Sequence, residues 1–437
     1  MNKDKLMREA KAAGIEDIAI YTSTSKATTL QIYAQKVDSF KISECKSMQV
    51  KGIYQGKMGT CTLEEDNDEA IAFLIEQIKQ NASAITSHDI VEIYAGDTVY
   101  PMLEHTENTC IKAPVETKIS MMMRLEEKLK ACDERIEQVM DCAYQDVEMM
   151  VEIDNSKGMN IARQEAFTIV SAGILVKDGE DQKSAYDVVT LKSLDAFDID
   201  VFVAALKQKA IEKLHAEQVE SGIYPVLLEK DAMGSLLQYV SCLLDGESAY
   251  KGISLLKEKL GTQIFDEKIT WIDDPLRKDG YHSAPFDDEG VASKRKVVVD
   301  KGVLISFLHN LKSSKLMKCA PTGNGFQGSI SPTNLYIESG MTSYEEMISM
   351  MDKGLIITEL NGLHAGLNTM TTQFSLQASG FYVEHGKVIK PVNLITVAWV
   401  FLDMMKDITC VGNDIKFQLS GIGSPSILFP ALAISGE

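Results

Sequence analysis

No pair of histidines in this chain is spaced to share a metal ion on one helix. The seven (His88, His105, His215, His282, His309, His364 and His385) are scattered, and none has another within five residues. Two helical metal ligands need that closeness to lie on one face. The eight cysteines form no CxxC pair, which argues for a reducing compartment and for cysteines acting as small buried hydrophobes. Positive charge is scarce: Lys plus Arg is 44 against 63 Asp plus Glu, a net charge of −19. Such a field repels phosphate backbones, and the one short basic run, Lys294-Arg295-Lys296, leads into a strand, so bulk nucleic-acid binding is disfavoured. Long apolar runs are missing as well. The most apolar late stretch, Leu394 to Met404, is too short to span a bilayer and contains Thr396 and Asp403. The first residues, MNKDKLMREAKAAG, form a charged amphipathic helix with no signal-peptide core. The expectation is a cytoplasmic protein with neither a membrane nor a nucleic-acid partner.

What is present is enough apolar sequence, 45% of 437 residues, for two or three cored domains. The pattern predicts an α+β protein. Residues 1–83 read as an N-terminal α+β domain: a helix over 3–13, strands at 17–21, 28–33 and 47–54, and a helix from Asp66 to about Gln80. Residues 84–115 lack periodicity and read as an extended connection. A middle α+β domain follows over 116–221, with a long helix from Glu116 to about Met140 and strands at 143–153, 165–176 and 184–190. A helix over Ile199–Val219 closes it. Residues 222–437 read as a large, curved, mostly antiparallel, open barrel-like sheet with packed helices. Its hairpins are predicted at Asp300-Lys-Gly302 and Glu384-His-Gly386.

The stretch Pro225–Tyr250 organises that last domain. The strand Val226-Leu-Leu228 enters a turn with Asp231 as the expected N-cap. A helix follows, with Met233, Leu236, Leu237, Val240, Leu243 and Leu244 at spacings of three and four, and Gly246 as its stop. This is the setting of a metal-site helix, yet it carries Gln238, Tyr239 and Cys242 in place of ligands. A metal assembled from distant groups, such as His309 with Asp287 and Glu289, is the weaker alternative.

Three groups are candidate substrate-binding residues. Asp287, Asp288 and Glu289 form either a carboxylate cluster able to grip a peptide amine or a solvated acidic turn. Thr322, Gly323, Asn324 and Gly325 form either a loop whose backbone approaches a ligand or a plain tight turn. The sequence after them is not helical, which excludes a phosphate fingerprint. His309 follows an apolar strand and reads more readily as hydrogen-bonded support than as a base. No nucleophilic triad is legible, so no catalytic residue is assigned.

Several strings resemble one family. They are Phe286-Asp-Asp-Glu-Gly-Val291, Lys296-Val-Val-Val-Asp-Lys-Gly-Val-Leu304, Leu308-His-Asn310, Lys315-Leu-Met317 and Ala320-Pro-Thr-Gly-Asn-Gly325. With Gly222-Ile-Tyr-Pro-Val226, Val411-Gly-Asn-Asp414 and the early Met48–Thr60 run, they resemble the TldD/PmbA family from about residue 15 onward. The resemblance implies a TldD–TldE (PmbA) heterodimeric peptidase that trims unfolded or leader peptides. In that family the TldD branch holds zinc with a helical HExxxH motif and a later cysteine. Here the motif positions fall on Gln238, Tyr239 and Leu243. The cysteine-bearing loop has no counterpart, since Cys410 precedes the Val411–Asp414 string. The resemblance therefore implies the TldE/PmbA branch: no metal or cofactor in this chain, zinc on a TldD-type partner, and this chain lining the substrate cavity as part of a heterodimer or homodimer. The alternatives are a self-associating regulatory protein of the gyrase-modulator kind, and an independent hydrolase with an unrecognised metal site.

Overall fold

Alternating side chains over very long runs dictate the first half of the molecule. In the computed structural model, which describes all residues except 65–66, 88, 105–106 and 279, the chain divides into two units. The first comprises residues 1–95 and 104–215, the second residues 96–103 and 216–437. Helix α1 (Lys3–Ala12) is followed by strands β1 (Ile18–Tyr33), β2 (Lys36–Tyr54) and β3 (Lys57–Leu63), then helices α2 (Ile71–Ala84) and α3 (Val115–Ala131). Strands β4 (Ile136–Asn155), β5 (Asn160–Asp178) and β6 (Asp181–Leu191) and helix α4 (Ile199–Ile211) complete the first unit. The sheet order is β3-β2-β1-β4-β5-β6, antiparallel throughout.

This topology merges what the sequence separates. β1 of the N-terminal segment pairs with β4 of the middle segment from Ala19↔Asn155 to Ile32↔Cys142, so the two predicted α+β units share one sheet. No sequence pattern encodes a pairing across more than a hundred residues. Ile20 and Val50 lie under α1 and α2, and Leu30, Tyr144 and Val170 under α3 and α4, forming two clusters on the same face. The predicted helix over 116–140 is shorter than expected: it ends at Ala131, and Ile136–Met140 belong to β4. The expected helix start at Asp66 lies outside the described residues, as do His88 and His105. The helix itself begins after a turn in which Asn67 accepts the Ala70 N–H at 3.0 Å.

The second unit opens with strand β7 (Gly222–Leu228) and helix α5 (Lys230–Val240), which a tighter turn over Ser241–Leu244 extends. Gly246 does not stop this helix. It begins α6 (Gly246–Tyr250), with Asp245 capping Ser248 at 2.8 Å. Nor is Asp231 the N-cap; that position is Glu229, without a side-chain cap bond, while Ser426 Oγ takes the Lys230 N–H at 3.1 Å.

One sheet contains β8 (Trp271–Asp273), β9 (Lys296–Asp300), β10 (Val303–Leu304), β13 (Leu335–Ile337), β18 (Lys416–Phe417) and β19 (Gly423–Ser424). Helix α7 (Leu311–Met317) and the small hairpin β11 (Gly325–Phe326) with β12 (Ser329–Ile330) lie between β10 and β13 in the chain. The other sheet contains β14 (Lys353–Asn361), β15 (Gln373–Glu384), β16 (Lys387–Val400), β17 (Cys410–Val411), β20 (Ile427–Ser435) and β7. Here β16 also pairs with β20, so five strands close into a barrel, further than the open curve the pattern suggests. Apart from β14–β7, the barrel pairs are antiparallel. Helix α5 packs against both β14 and β19, and its Met233, Leu236, Leu237 and Val240 are buried in the common core.

Candidate functional site

The three candidate groups, far apart in sequence, meet in one hydrogen-bonded cluster of the second unit. Asp287 is its hub. Its carboxylate accepts the N–H groups of Glu289 (3.0 Å), Val291 (2.9 Å) and Gly325 (2.8 Å). It is fully buried, which overturns the solvated-turn reading for this residue. Burial, reinforced by the Glu289 charge, pushes its carboxyl up to about 7, against the pull of those three donors. Glu289 accepts the Leu311 N–H at 2.7 Å, fastening the start of α7. Its carboxylate lies where a Cβ on Gly325 would stand, 2.5 Å away, so residue 325 must be glycine for this approach. Asp288 receives the Gln327 N–H at 2.9 Å through its side chain and donates its own N–H to Gly325.

His309 and the Thr322–Gly325 loop form the second half. Thr322 Oγ1 accepts the His309 N–H at 2.7 Å and lies 2.8 Å from Asn324 Oδ1. Asn324 Nδ2 donates to Asp273 Oδ2 at 2.8 Å. His309 is buried, its Nδ1 3.1 Å from Ser313 Oγ, and burial holds it neutral down to about pH 4. Gly323, at φ +71°, brings its backbone against Ala292.

Sequence reasoning missed the anchor of this network. Asp273, at the end of β8, is fully buried and pairs with Lys296 Nζ at 2.8 Å. It also accepts the Thr333 N–H at 2.7 Å and the Thr333 hydroxyl at 2.8 Å. An aspartate ending a three-residue apolar strand was the one available signal. Also unforeseen is a strap from the predicted connection. Asp97 accepts the Ala292 N–H at 2.7 Å, Tyr100 donates to the Gly290 carbonyl at 2.8 Å, and its ring meets Phe286 edge-on at 5.6 Å. Residues 96–103 thus clamp the 286–292 turn.

The helix positions remain apart. Gln238 and Tyr239 are exposed, Leu243 is buried in the core, and none of the cluster's hydrogen bonds reaches them. An amide, a phenol and an aliphatic side chain do not fit zinc, and the third is buried while the other two are exposed. Among the described residues no three His, Cys, Asp or Glu side chains are grouped to hold a metal ion. At the other end of α5, Asp414 takes the Ser426 N–H and hydroxyl at 2.9 and 2.8 Å and pairs with Lys230 at 3.4 Å. Tyr344 donates to Glu229 at 2.6 Å, and burial raises that glutamate above the usual carboxylate range.

Fold and site together define a class: a two-unit α+β protein whose second unit packs helix α5 against a closed five-stranded barrel and holds a buried polar cluster centred on Asp287. The chain belongs to the PmbA/TldD family, in its PmbA (TldE) branch without the HExxxH motif. The PmbA/TldA metallopeptidase central domain matches residues 108–216 and the corresponding C-terminal domain residues 221–436. It is similar to the metalloprotease PmbA of Escherichia coli O157:H7, at 25% identity over 99% of this chain and 97% of the relative. A Thermotoga maritima structure described as a candidate modulator of a DNA gyrase is 30% identical, with a TM-score of 0.92 over 99% of both chains. TldE from Thermococcus kodakarensis shares the fold, with a TM-score of 0.89 at 19% identity over 99% of this chain and 100% of the other. Among the described residues, no helix is long and apolar enough to cross a membrane.

Proposed function

We propose that this chain is the PmbA/TldE-type subunit of a cytoplasmic TldD–TldE-type zinc metallopeptidase that cleaves unfolded or leader peptides. The zinc would sit on the TldD-type partner and activate water for attack on the peptide carbonyl. This chain would line part of the substrate cavity and hold no metal. The observation that supports this reading is helix α5, where Gln238, Tyr239 and, just beyond it, Leu243 stand at the positions that the resemblance assigns to the family's HExxxH motif.

In this reading the peptide binds extended, along a sheet edge, so that main-chain bonds hold sequences of many kinds. The proposed contacts are the Asp287–Glu289 turn, His309 and Thr322–Gly325. Asp288 and Glu289 have exposed surface to offer, and the buried members hold them in place. The test is reconstitution with a TldD-type partner, following leader-peptide cleavage and the metal content of each subunit. Cleavage should need both chains, with zinc on the partner. Equal cleavage by the partner alone, or stoichiometric zinc on this chain, would overturn the reading.

A further inference from the structure

A cleft of about 450 Å³ opens in the first unit between the C-terminal half of α3 and the β1–β2 turn. Glu126, Glu127 and Lys130 of α3, Val139 of β4 and Tyr33 at the end of β1 are among its walls. Its volume is in the range of pockets that enclose small ligands. The charge at its base lacks a counter-ion. Glu126 is 5% exposed, and its carboxylate accepts only from neutral donors: the N–H groups of Ala34 and Gln35 and the Gln35 amide. Charged side chains are rarely buried so far without a partner of opposite sign. Among the described residues no cation supplies one. Lys130, one turn further along, directs its ammonium to the carbonyls of Ile136 and Glu137, and Lys128 pairs with Asp200.

The rim adds to the negative potential. Glu127 is exposed and makes no ion pair or side-chain hydrogen bond among the described residues. Helix α3 ends here, at Ala131, so the negative end of its dipole acts on the same space. Val139, buried, and the ring of Tyr33, 51% exposed, supply apolar and aromatic wall. We infer that this cleft binds a guanidinium carried on an aliphatic stem, the charge directed at Glu126 and Glu127 and the stem lying against Val139 and Tyr33. A guanidinium is more weakly hydrated than an ammonium and stacks on aromatic rings, which suits a partly apolar site beside a phenol. Such a group comes as a free small molecule or as the arginine side chain of a peptide, and the recognition chemistry is the same for both. The inference concerns the first unit alone and stands whether or not the peptidase reading does.

Butylguanidine, its neutral isostere butylurea and the ammonium analogue pentylamine test this by amide NMR of the isotope-labelled full chain. Butylguanidine should bind saturably in the millimolar range or tighter, as a ligand of about eight non-hydrogen atoms can, and should shift the amides of Ala34 and Gln35. Butylurea should bind about ten-fold more weakly, and pentylamine more weakly than butylguanidine. Tyr33→Ala should weaken butylguanidine about 2–5-fold and Glu127→Gln about two-fold. Glu126→Gln should abolish binding; since that change also loosens the turn, the two rim variants keep the test decisive should it not fold. Nα-acetyl-arginine amide separates the sources: binding tighter than that of butylguanidine marks a peptide side chain, weaker binding a free guanidine. Butylurea or pentylamine binding as tightly as butylguanidine would overturn the inference. So would shifts spread over the acidic surface instead of the cleft, or an affinity indifferent to both rim variants.

Discussion

Asp287 and His309 are opposite cases of one physical effect. Burial disfavours charge on both, so the carboxyl is raised from 3.8 to about 7 and the imidazole lowered from 6.5 to about 4. The folded chain therefore holds more protons at Asp287 than the unfolded chain does between pH 3.8 and about 7. That contribution to stability is complete below the unfolded value and fades as pH rises through 7. At His309 the unfolded chain binds the extra proton below 6.5, so stability there is lost as pH falls toward 4. The two slopes oppose each other over the shared range. Asp287→Asn should abolish the first and uncover the second, so that denaturant stability of the variant rises from pH 4.5 to 6.5 more steeply than that of the wild type. It should also cost about 1–3 kcal/mol at pH 7, because an amide cannot accept all three N–H donors. Identical pH profiles for variant and wild type would contradict this account. The sequence offered these residues as candidates, because clustered carboxylates and a histidine after a strand are visible in one dimension. It could not show that Asp287 is fully buried, because the groups that enclose it come from Tyr100, Gly290 and Gly325.

Helix α5 carries the argument at the scale of elements. Its apolar stripe was legible from spacing alone, and Met233, Leu236, Leu237, Val240, Leu243 and Leu244 are all buried. Its ends were not: Glu229, the residue after β7, stands at the N-cap position, and a hydroxyl from Ser426, almost two hundred residues on, supplies the bond expected of Asp231. Grafting the motif by Gln238→His, Tyr239→Glu and Leu243→His should not create a zinc site. Leu243 is 2% exposed while its two companions face outward, so the change buries an unpaired imidazole and destabilises by about 2–4 kcal/mol. Metal analysis and denaturation of the variant check both halves. The β1–β2 turn makes a second element-scale case. Ala34 and Gln35 adopt left-handed backbone at φ 50° and 57°. The buried carboxylate of Glu126 holds them by accepting both N–H groups at 2.7 Å and the Gln35 amide at 2.8 Å. Glu126→Ala should cost about 2–3 kcal/mol, with faster amide exchange confined to the turn and the adjoining strand ends. Exchange unchanged at residues 33–37 would refute that role.

At the scale of the whole molecule, charge and pairing dominate. With a net charge of −19 the chain should show no retention on duplex DNA even at about 50 mM salt, where basic binders are at their tightest. A filter or mobility assay decides this. Measurable binding would favour a regulatory role on DNA over the peptidase reading.

By itself the sequence determined the class of fold, the positions of most strands and hairpins, the family, and the lack of an HExxxH motif. Each of these is local: an alternation, a turn residue or a side chain that lacks the needed atoms. Tertiary structure alone decided that the N-terminal and middle segments share one sheet, that the barrel closes through β16 and β20, and that Asp273 anchors the polar cluster. Those outcomes depend on which distant strands meet. The free energy of such meetings lies in burial and paired backbone groups that no stretch of the chain possesses until the rest has folded around it.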